Sequence, residues 1–133
     1  MARKKMSQKF VAKKYGFRSG LELDISDQLQ KKSIIFEYEK KKIDYVIPAR
    51  KAKYTPDFVL ANGIIIETKG RFLADDRKKQ LLVKEQNPEL DIRFIFSSSK
   101  AKLSKASKTT YADWCIKNGF KYADKTIPEE WLY

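Results

Sequence analysis

Hydrophobic and polar positions repeat with two different periods along this chain, and the two periods predict helices and strands. Leu21, Ile25 and Leu29 recur at four-residue intervals, and Ser19 stands before them with Glu22 three residues further on. That Ser-x-x-Glu spacing is typical of a helix N-terminus, so we expect a helix over about 20–32. Around its axis Glu22 borders the apolar stripe, and we predict that Glu22 lies at the margin of the buried face.

Runs of β-branched and aromatic residues predict the strands of the fold. The expected strands cover 34–38, 44–47, 54–60, 64–69 and 90–96. The basic stretch from Pro48 to Lys53 has no such pattern, so we expect an irregular segment there. The strands of 54–60 and 64–69 are joined by Ala61-Asn62-Gly63, which strongly indicates a hairpin.

Capping residues predict two further helices. One begins at Asp75 or Asp76 and ends at Asn87-Pro88, with Leu81 and Leu82 facing inward; the other begins at Thr110 and ends at Asn118-Gly119. The order helix, strands, hairpin, helix, strand, helix predicts an α/β fold in which a mixed central β-sheet is flanked by helices. We expect a basic N-terminal arm over 1–15 and one domain over 16–133.

Composition narrows the chemistry that the chain can perform. Its 133 residues include 29 Lys plus Arg, 17 Asp plus Glu, no His and one Cys, for a formal net charge of +12. The lack of histidine excludes Ser-His-Asp and Cys-His nucleophile systems and His-ligated metals. A single cysteine excludes an intrachain disulfide and fits a reducing compartment. No segment is apolar enough for a membrane span or a signal peptide, and the basic balance indicates a polyanionic partner, with nucleic acid as the first expectation.

The candidate catalytic motif is an acid-x-Lys tripeptide, which the composition also produces by chance. The chain contains three of them, beginning at Glu39, Glu67 and Asp76. Only Glu67-Thr68-Lys69 follows an unbroken apolar strand, and only it is joined by a hairpin to another acid, Asp57. We therefore choose Glu67 and Lys69, which point the same way because strand residues alternate faces.

Whether Asp57 joins them depends on the length of the hairpin loop. A two-residue Asn62-Gly63 turn would pair 57 with 68 and put Asp57 on the opposite face. A three-residue loop with Gly63 at positive φ pairs 60 with 64 and hence 57 with 67. We predict the three-residue loop, which brings Asp57, Glu67 and Lys69 together.

Two carboxylates and a lysine on one sheet face suit metal-dependent phosphodiester cleavage. Mg²⁺ prefers oxygen ligands and is commonly held by one or two carboxylates, phosphate oxygens and water. Lys69 could orient a water molecule or hold a phosphate oxygen. The alternative is an exposed sheet face on which Glu67 merely pairs with Lys69.

Segments spread over 15–132 resemble a known family, the endonuclease I Holliday-junction resolvases of podoviral phages. They are FRSGLE (17–22), FEYE (36–39), YVIPA (45–49), YTPDF (54–58), ETKG (67–70), DDRKK (75–79), FSSS (96–99) and IPEEW (127–131). The resemblance implies a restriction-endonuclease-like core, a homodimer and Mg²⁺-dependent cleavage of four-way and other branched DNA, with Mn²⁺ as a substitute metal. It implies an intracellular, cytoplasmic protein encoded by a phage or prophage.

The resemblance also implies roles for single residues. Glu22, Asp57 and Glu67 correspond to metal-binding carboxylates, and Lys69 corresponds to a catalytic lysine. A strand near 44–52 would bridge two exchanged lobes, so that Glu22 of one chain completes the site of the other. From spacing alone, Glu22 is equally well explained as the capping partner of Ser19, and the two roles compete for one carboxylate.

Basic residues in the arm and near the site are candidate phosphate contacts. They are Arg3, Lys4, Lys5, Arg18, Arg71, Arg77, Lys78 and Lys100. A solvated tail is the alternative for the arm. For the whole protein, the alternatives are a non-catalytic basic nucleic-acid-binding module and a simpler end-directed or mismatch nuclease on the same core.

Overall fold

The computed structural model describes residues 19–47 and 49–133. The predicted arm, including Arg3, Lys4 and Lys5, lies outside the described residues, as do Arg18 and Pro48. Within the described part, no helix is both long and apolar enough to cross a membrane.

Within residues 19–47 and 49–133, three α-helices and seven strands form an α/β fold, which confirms the predicted class. The helices are α1 (Gly20–Lys31), α2 (Ala74–Gln86) and α3 (Tyr111–Asn118), and a 3-10 turn covers Glu129–Trp131. The strands are β1 (Phe36–Tyr38), β2 (Ile43–Ile47), β3 (Arg50–Tyr54), β4 (Phe58–Leu60), β5 (Ile65–Lys69), β6 (Ile92–Phe96) and β7 (Lys121–Asp124).

Five strands form the central mixed sheet in the order β1-β4-β5-β6-β7. β1, β4 and β5 are antiparallel neighbours, whereas β5, β6 and β7 run parallel. The carboxyl ends of β5, β6 and β7 therefore meet at one edge of the sheet, to which β1 also delivers its C-terminal end. This edge, which we call the site edge, carries Lys69 at the end of β5.

The sheet separates two hydrophobic clusters because its side chains alternate between faces. Ile65 and Phe94 enter the cluster shared with α2, α3 and the strands β2 and β3. Ile66 and Ile95 enter the other cluster, which contains the buried residues of α1 and of the C-terminal turn. The helices flank the sheet on both faces, as the sequence predicts.

Local capping explains where two of the helices begin and end. Oγ of Ser19 accepts a hydrogen bond from the amide of Glu22 at 3.1 Å, which caps α1. Thr110 and Asp113 form a reciprocal capping box on α3, and Gly119 ends that helix at φ +76°. These ends confirm the predictions made from Ser19, Thr110 and Gly119.

The segment expected to be irregular is a strand. β3 pairs antiparallel with β2 along its whole length, from Ile43 with Tyr54 to Ile47 with Arg50. Only Ala52 and Tyr54 of β3 are withdrawn from solvent. The other three residues are exposed Lys or Arg, and their charge hides the alternating pattern that would indicate a strand in the sequence. In this single chain the segment near 44–52, expected as one bridging strand, is thus a hairpin.

A side-chain amide fastens this hairpin to α2. Gln86 donates to the carbonyl of Val46 and accepts from its amide, in the way a neighbouring strand would.

The prediction that Leu81 faces inward is wrong, because Leu81 is 38% exposed. Gln80 and Val83 form the buried stripe of α2 instead, and consecutive helix positions such as 81 and 82 point about 100° apart.

Candidate metal and phosphate site

The hairpin between β4 and β5 has the predicted three-residue loop. Phe58 pairs with Ile66, so continuation of the register sets Asp57 opposite Glu67. The amide of Leu60 donates to the carbonyl of Ile64 at 2.9 Å, which closes the loop. Gly63 has φ +90°, the left-handed conformation that this loop requires and that glycine adopts without strain.

Glu67 is 3% exposed and is held by two donors on the same oxygen. Oε2 accepts from the hydroxyl of Tyr54 at 2.5 Å and from the amide of Asp57 at 3.0 Å. Burial, followed by the negative charge of Asp57, raises the pKa of Glu67 to about 8, and the charge of Lys69 opposes that shift. An exposed Glu67 that merely pairs with Lys69 is therefore the wrong interpretation.

Asp57 is 2% exposed, and Thr68 fixes one of its oxygens. Oδ2 accepts from the amide of Thr68 at 2.9 Å and from its hydroxyl at 3.0 Å. The middle residue of the Glu67-Thr68-Lys69 motif thus orients the acid on the neighbouring strand. The spacing of the motif alone does not indicate this role for Thr68.

Three carboxylates from different elements meet next to this pair. One oxygen each from Glu22, Glu39 and Asp57 lies within 4.8 Å of the other two. Glu22 comes from the first turn of α1, where its Oε1 accepts from the hydroxyl of Tyr38 at 2.9 Å. Asp57 is common to this trio and to the pair with Glu67, so it links the two arrangements.

Glu39 was not predicted as a site residue. It follows β1 in the left-handed conformation, with φ +52°, and its amide donates to the carbonyl of Asp57 at 3.3 Å. In the sequence Glu39 belongs to the tripeptide Glu39-Lys40-Lys41 and to the segment FEYE, and neither places it after an unbroken apolar strand. Its place depends on the β1–β4 pairing, which is a contact between distant parts of the chain.

The geometry of this donor set fits a hard divalent cation. Carboxylate oxygens are the ligands that Mg²⁺ and Mn²⁺ prefer, and two oxygens on one Mg²⁺ lie at most about 4.2 Å apart, twice the Mg–O distance. A separation within 4.8 Å requires only a small closure of flexible side chains. Three carboxylates this close repel one another, and a cation between them relieves that repulsion.

Lys69 stands beside the acids rather than among them. Its Nζ lies 3.7 Å from Oδ1 of Asp76 on α2, and its side chain is 20% exposed. Its charge also acts on Glu67. The side chain of Lys69 can still reach a bound phosphate, because its ion pair with Asp76 is long and partly solvated.

The two expected roles of Glu22 do not compete, because they use different atoms. Its amide serves the N-cap of α1, and its carboxylate lies in the trio. The structure brings Glu22 and Asp57 of the same chain together, whereas the resemblance implies a Glu22 supplied by a partner. Exchange between subunits therefore stays a prediction.

The candidate phosphate contacts differ in how they are engaged. Arg71, Lys78 and Lys100 are exposed. Arg77 is half-buried, and its guanidinium donates to the carbonyl of Phe72 at 2.5 Å, so it also has a structural role. The amide of Ser97 donates to the carbonyl of Lys69 at 3.1 Å, which sets the loop that leads to Lys100 beside the site edge.

A carboxylate cluster with a lysine beside it, at one edge of a mixed sheet, defines a candidate divalent-cation and phosphate site.

A family model described as phage endonuclease I matches residues 1–133, and the chain belongs to that family. It is 58% identical over 124 residues to "Endonuclease I" of Escherichia phage T7, covering 93% of this chain and 83% of the relative. It is 60% identical over 112 residues to "Endodeoxyribonuclease 1" of Enterobacteria phage T3, covering 84% of this chain and 74% of the relative.

Proposed function

We propose that the protein is a metal-dependent endodeoxyribonuclease that resolves four-way and other branched DNA by paired incisions. The observation that carries the proposal is the position of Asp57 in a chain of the phage endonuclease I family. The β4–β5 register sets Asp57 opposite Glu67, and the packing of α1 brings Glu22 beside it. The names of the relatives support an endonuclease acting on DNA. Phage relatives also support a phage-encoded protein that acts in the cytoplasm of its host.

Each site residue has a role that its contacts support. Glu22 and Asp57 of the trio, together with Glu67 opposite Asp57, would hold Mg²⁺ or Mn²⁺, which supplies charge stabilisation at the phosphate and a more acidic bound water. The hydrogen bonds on Oδ2 of Asp57 and Oε2 of Glu67 fix both carboxylates before any ligand arrives. Nζ of Lys69 would hold a phosphate oxygen next to them.

Branched DNA is proposed as the substrate because of symmetry and of how phosphates are recognised. A four-way junction has approximate two-fold symmetry, so a C₂ homodimer presents two equivalent sites for two incisions. Selectivity would come from the positions of phosphates in the branched shape rather than from base edges. Arg71, Lys78 and Lys100, with the arm residues, would supply those contacts.

We infer that the two subunits exchange elements through the β2–β3 hairpin of a restriction-endonuclease-like core. Opening the turn between Ile47 and Arg50 would turn the hairpin into a bridge and let Glu22 act in the partner's site. The same contacts would form between chains instead of within one chain, which is the usual relation between a closed and an exchanged form.

The first experiment compares an immobile four-way junction with a linear duplex of the same sequence, in Mg²⁺ and in EDTA. We expect preferential cutting of the junction in Mg²⁺ alone, and loss of cutting in Glu67→Ala and Lys69→Ala. Glu89→Ala and Lys117→Ala, at exposed positions, are the matched controls. Equal cutting of both substrates refutes the resolvase assignment, and binding without scission in Mg²⁺ favours a non-catalytic module.

A second experiment tests the exchange of subunits. We expect Glu22→Ala and Asp57→Ala chains to be inactive alone, whereas in a mixed exchanged dimer one site receives both intact residues. We expect denaturation and joint refolding of the two variants to restore nicking of one strand. Absence of nicking in refolded mixtures that contain heterodimers would show that each chain completes its own site.

A further inference from the structure

Tyr54 connects the β2–β3 hairpin to the proposed metal site. It ends β3, it is 1% exposed, and its hydroxyl donates to Oε2 of Glu67 at 2.5 Å. The amide of Asp57 donates to the same oxygen at 3.0 Å. Both hydrogen bonds end on Oε2, so Oε1 is the oxygen left to a cation.

Behind Tyr54 lies an unusual buried amide. Gln80 of α2 is 1% exposed. Burial raises the pKa of Tyr54, and against this larger effect the side-chain amide of Gln80 acts on the Tyr54 hydroxyl as a donor that lowers the pKa. Its Oε1 has no hydrogen-bond partner in the part of the chain that the structure describes. A buried carbonyl without a partner destabilises a fold, and an apolar residue of similar size would avoid that loss. The presence of glutamine here therefore calls for a role other than stability.

The chemistry of the phenol supplies that role. A tyrosine hydroxyl has one proton and accepts on its oxygen, whereas the amide nitrogen of glutamine only donates. When Nε2 of Gln80 donates to the phenol oxygen, the phenol proton is directed to the carboxylate of Glu67. The chain of Gln80, Tyr54 and Glu67 thus has one consistent direction of donation.

We propose that Tyr54, oriented by Gln80, is a positioning residue that fixes Glu67 so that Oε1 alone is presented to the cation. The inference rests on the proposed function, because it requires Glu67 to be a metal ligand. Outer partners of metal ligands commonly change metal affinity by 10–100-fold when they are removed. The hydroxyl of Tyr54 should belong to that group.

The test measures Mn²⁺ affinity by titration calorimetry without DNA, together with the melting temperature in EDTA. We expect Tyr54→Phe to weaken Mn²⁺ binding about tenfold or more. Tyr45→Phe is the matched control, since Tyr45 is a buried tyrosine of the same hairpin at 7% exposure, and it should bind as wild type. Gln80→Leu should weaken Mn²⁺ binding while melting at or above the wild-type temperature, because it removes the unpartnered carbonyl.

Because Gln80 acts through Tyr54, Gln80→Leu should add nothing to the Mn²⁺ defect in the Tyr54→Phe background. A Tyr54→Phe variant whose Mn²⁺ affinity is within twofold of wild type overturns the inference. So does a double variant in which the two losses of Mn²⁺ affinity add, or a Gln80→Leu variant that loses stability but keeps its Mn²⁺ affinity. Glu67→Gln separates the two proposals. If Glu67→Gln binds Mn²⁺ as wild type does, Glu67 is not a metal ligand, and both the proposed site and this inference are refuted. If Glu67→Gln loses Mn²⁺ binding but Tyr54→Phe binds as wild type does, this inference alone is refuted.

Discussion

Replacing Glu67 with glutamine should remove a dependence of stability on pH that the metal-free wild type possesses. Glu67 has its pKa raised from 4.5 to about 8 in the folded protein, chiefly by burial. Between these values the folded state keeps a proton that the unfolded chain releases. The free energy of unfolding must therefore fall as pH rises.

The magnitude follows from that shift. Each pH unit between the two pKa values lowers the free energy of unfolding by about 1.4 kcal/mol. From pH 5.5 to pH 8, wild type should lose about 3 kcal/mol more than Glu67→Gln, which cannot ionise. The chain has no histidine, the side chain that ordinarily titrates in this interval.

The assay is urea unfolding in EDTA at pH 5.5 and pH 8, followed by the fluorescence of the two tryptophans. Glu37→Gln, at an exposed position of β1, is the control and should behave as wild type. Saturating Mg²⁺ should reduce the wild-type loss, because a cation favours the ionised carboxylate. An identical pH dependence in wild type and Glu67→Gln would refute the argument.

Three further predictions concern the register, the acid pair and the DNA contacts. Thr68→Val removes the hydroxyl bond to Asp57 but keeps the amide bond, so cleavage should fall while junction binding in EDTA persists; unchanged cleavage would contradict the role of Thr68. Gly63→Ala meets no atom within 4 Å but strains φ +90°, so urea unfolding should show a loss of about 1–2 kcal/mol with cleavage retained below the melting temperature. Arg71→Gln and Lys78→Gln should each reduce the salt slope of junction binding by about 0.9, and an unchanged slope would exclude a phosphate contact.

Sequence reasoning succeeded where local chemistry decides the structure. Ser19 and Thr110 predicted helix starts because capping involves residues three apart. Ala61-Asn62-Gly63 predicted the β4–β5 register because glycine permits the positive φ that a three-residue loop needs. The placement of Asp57 opposite Glu67 followed from that register alone.

Sequence reasoning failed where a partner distant in the chain decides. Three of the five residues of β3 are exposed Lys or Arg, and they hide the alternation of Ala52 and Tyr54, so β3 is recognisable only by its pairing with β2. The positions of Glu39 and Tyr54 depend on β1–β4 pairing and on the packing of the hairpin over the sheet. No spacing in the sequence connects Gln80 to Glu67.

The three-residue loop between β4 and β5 has a consequence for how this gene can change. Its residues are exposed, but Asn62 donates to the carbonyl of Trp131 at 2.9 Å and Gly63 holds φ +90°, so only the side chain of Ala61 is free of a conformational or hydrogen-bonding requirement there. Deleting or inserting one residue shifts the register by one, so that the side chains of β4 face the opposite side of the sheet relative to β5. Asp57 is then moved away from Glu67. In related chains we therefore expect the length of this loop to stay constant, and single-codon insertions there to be more damaging than most point mutations elsewhere on the surface.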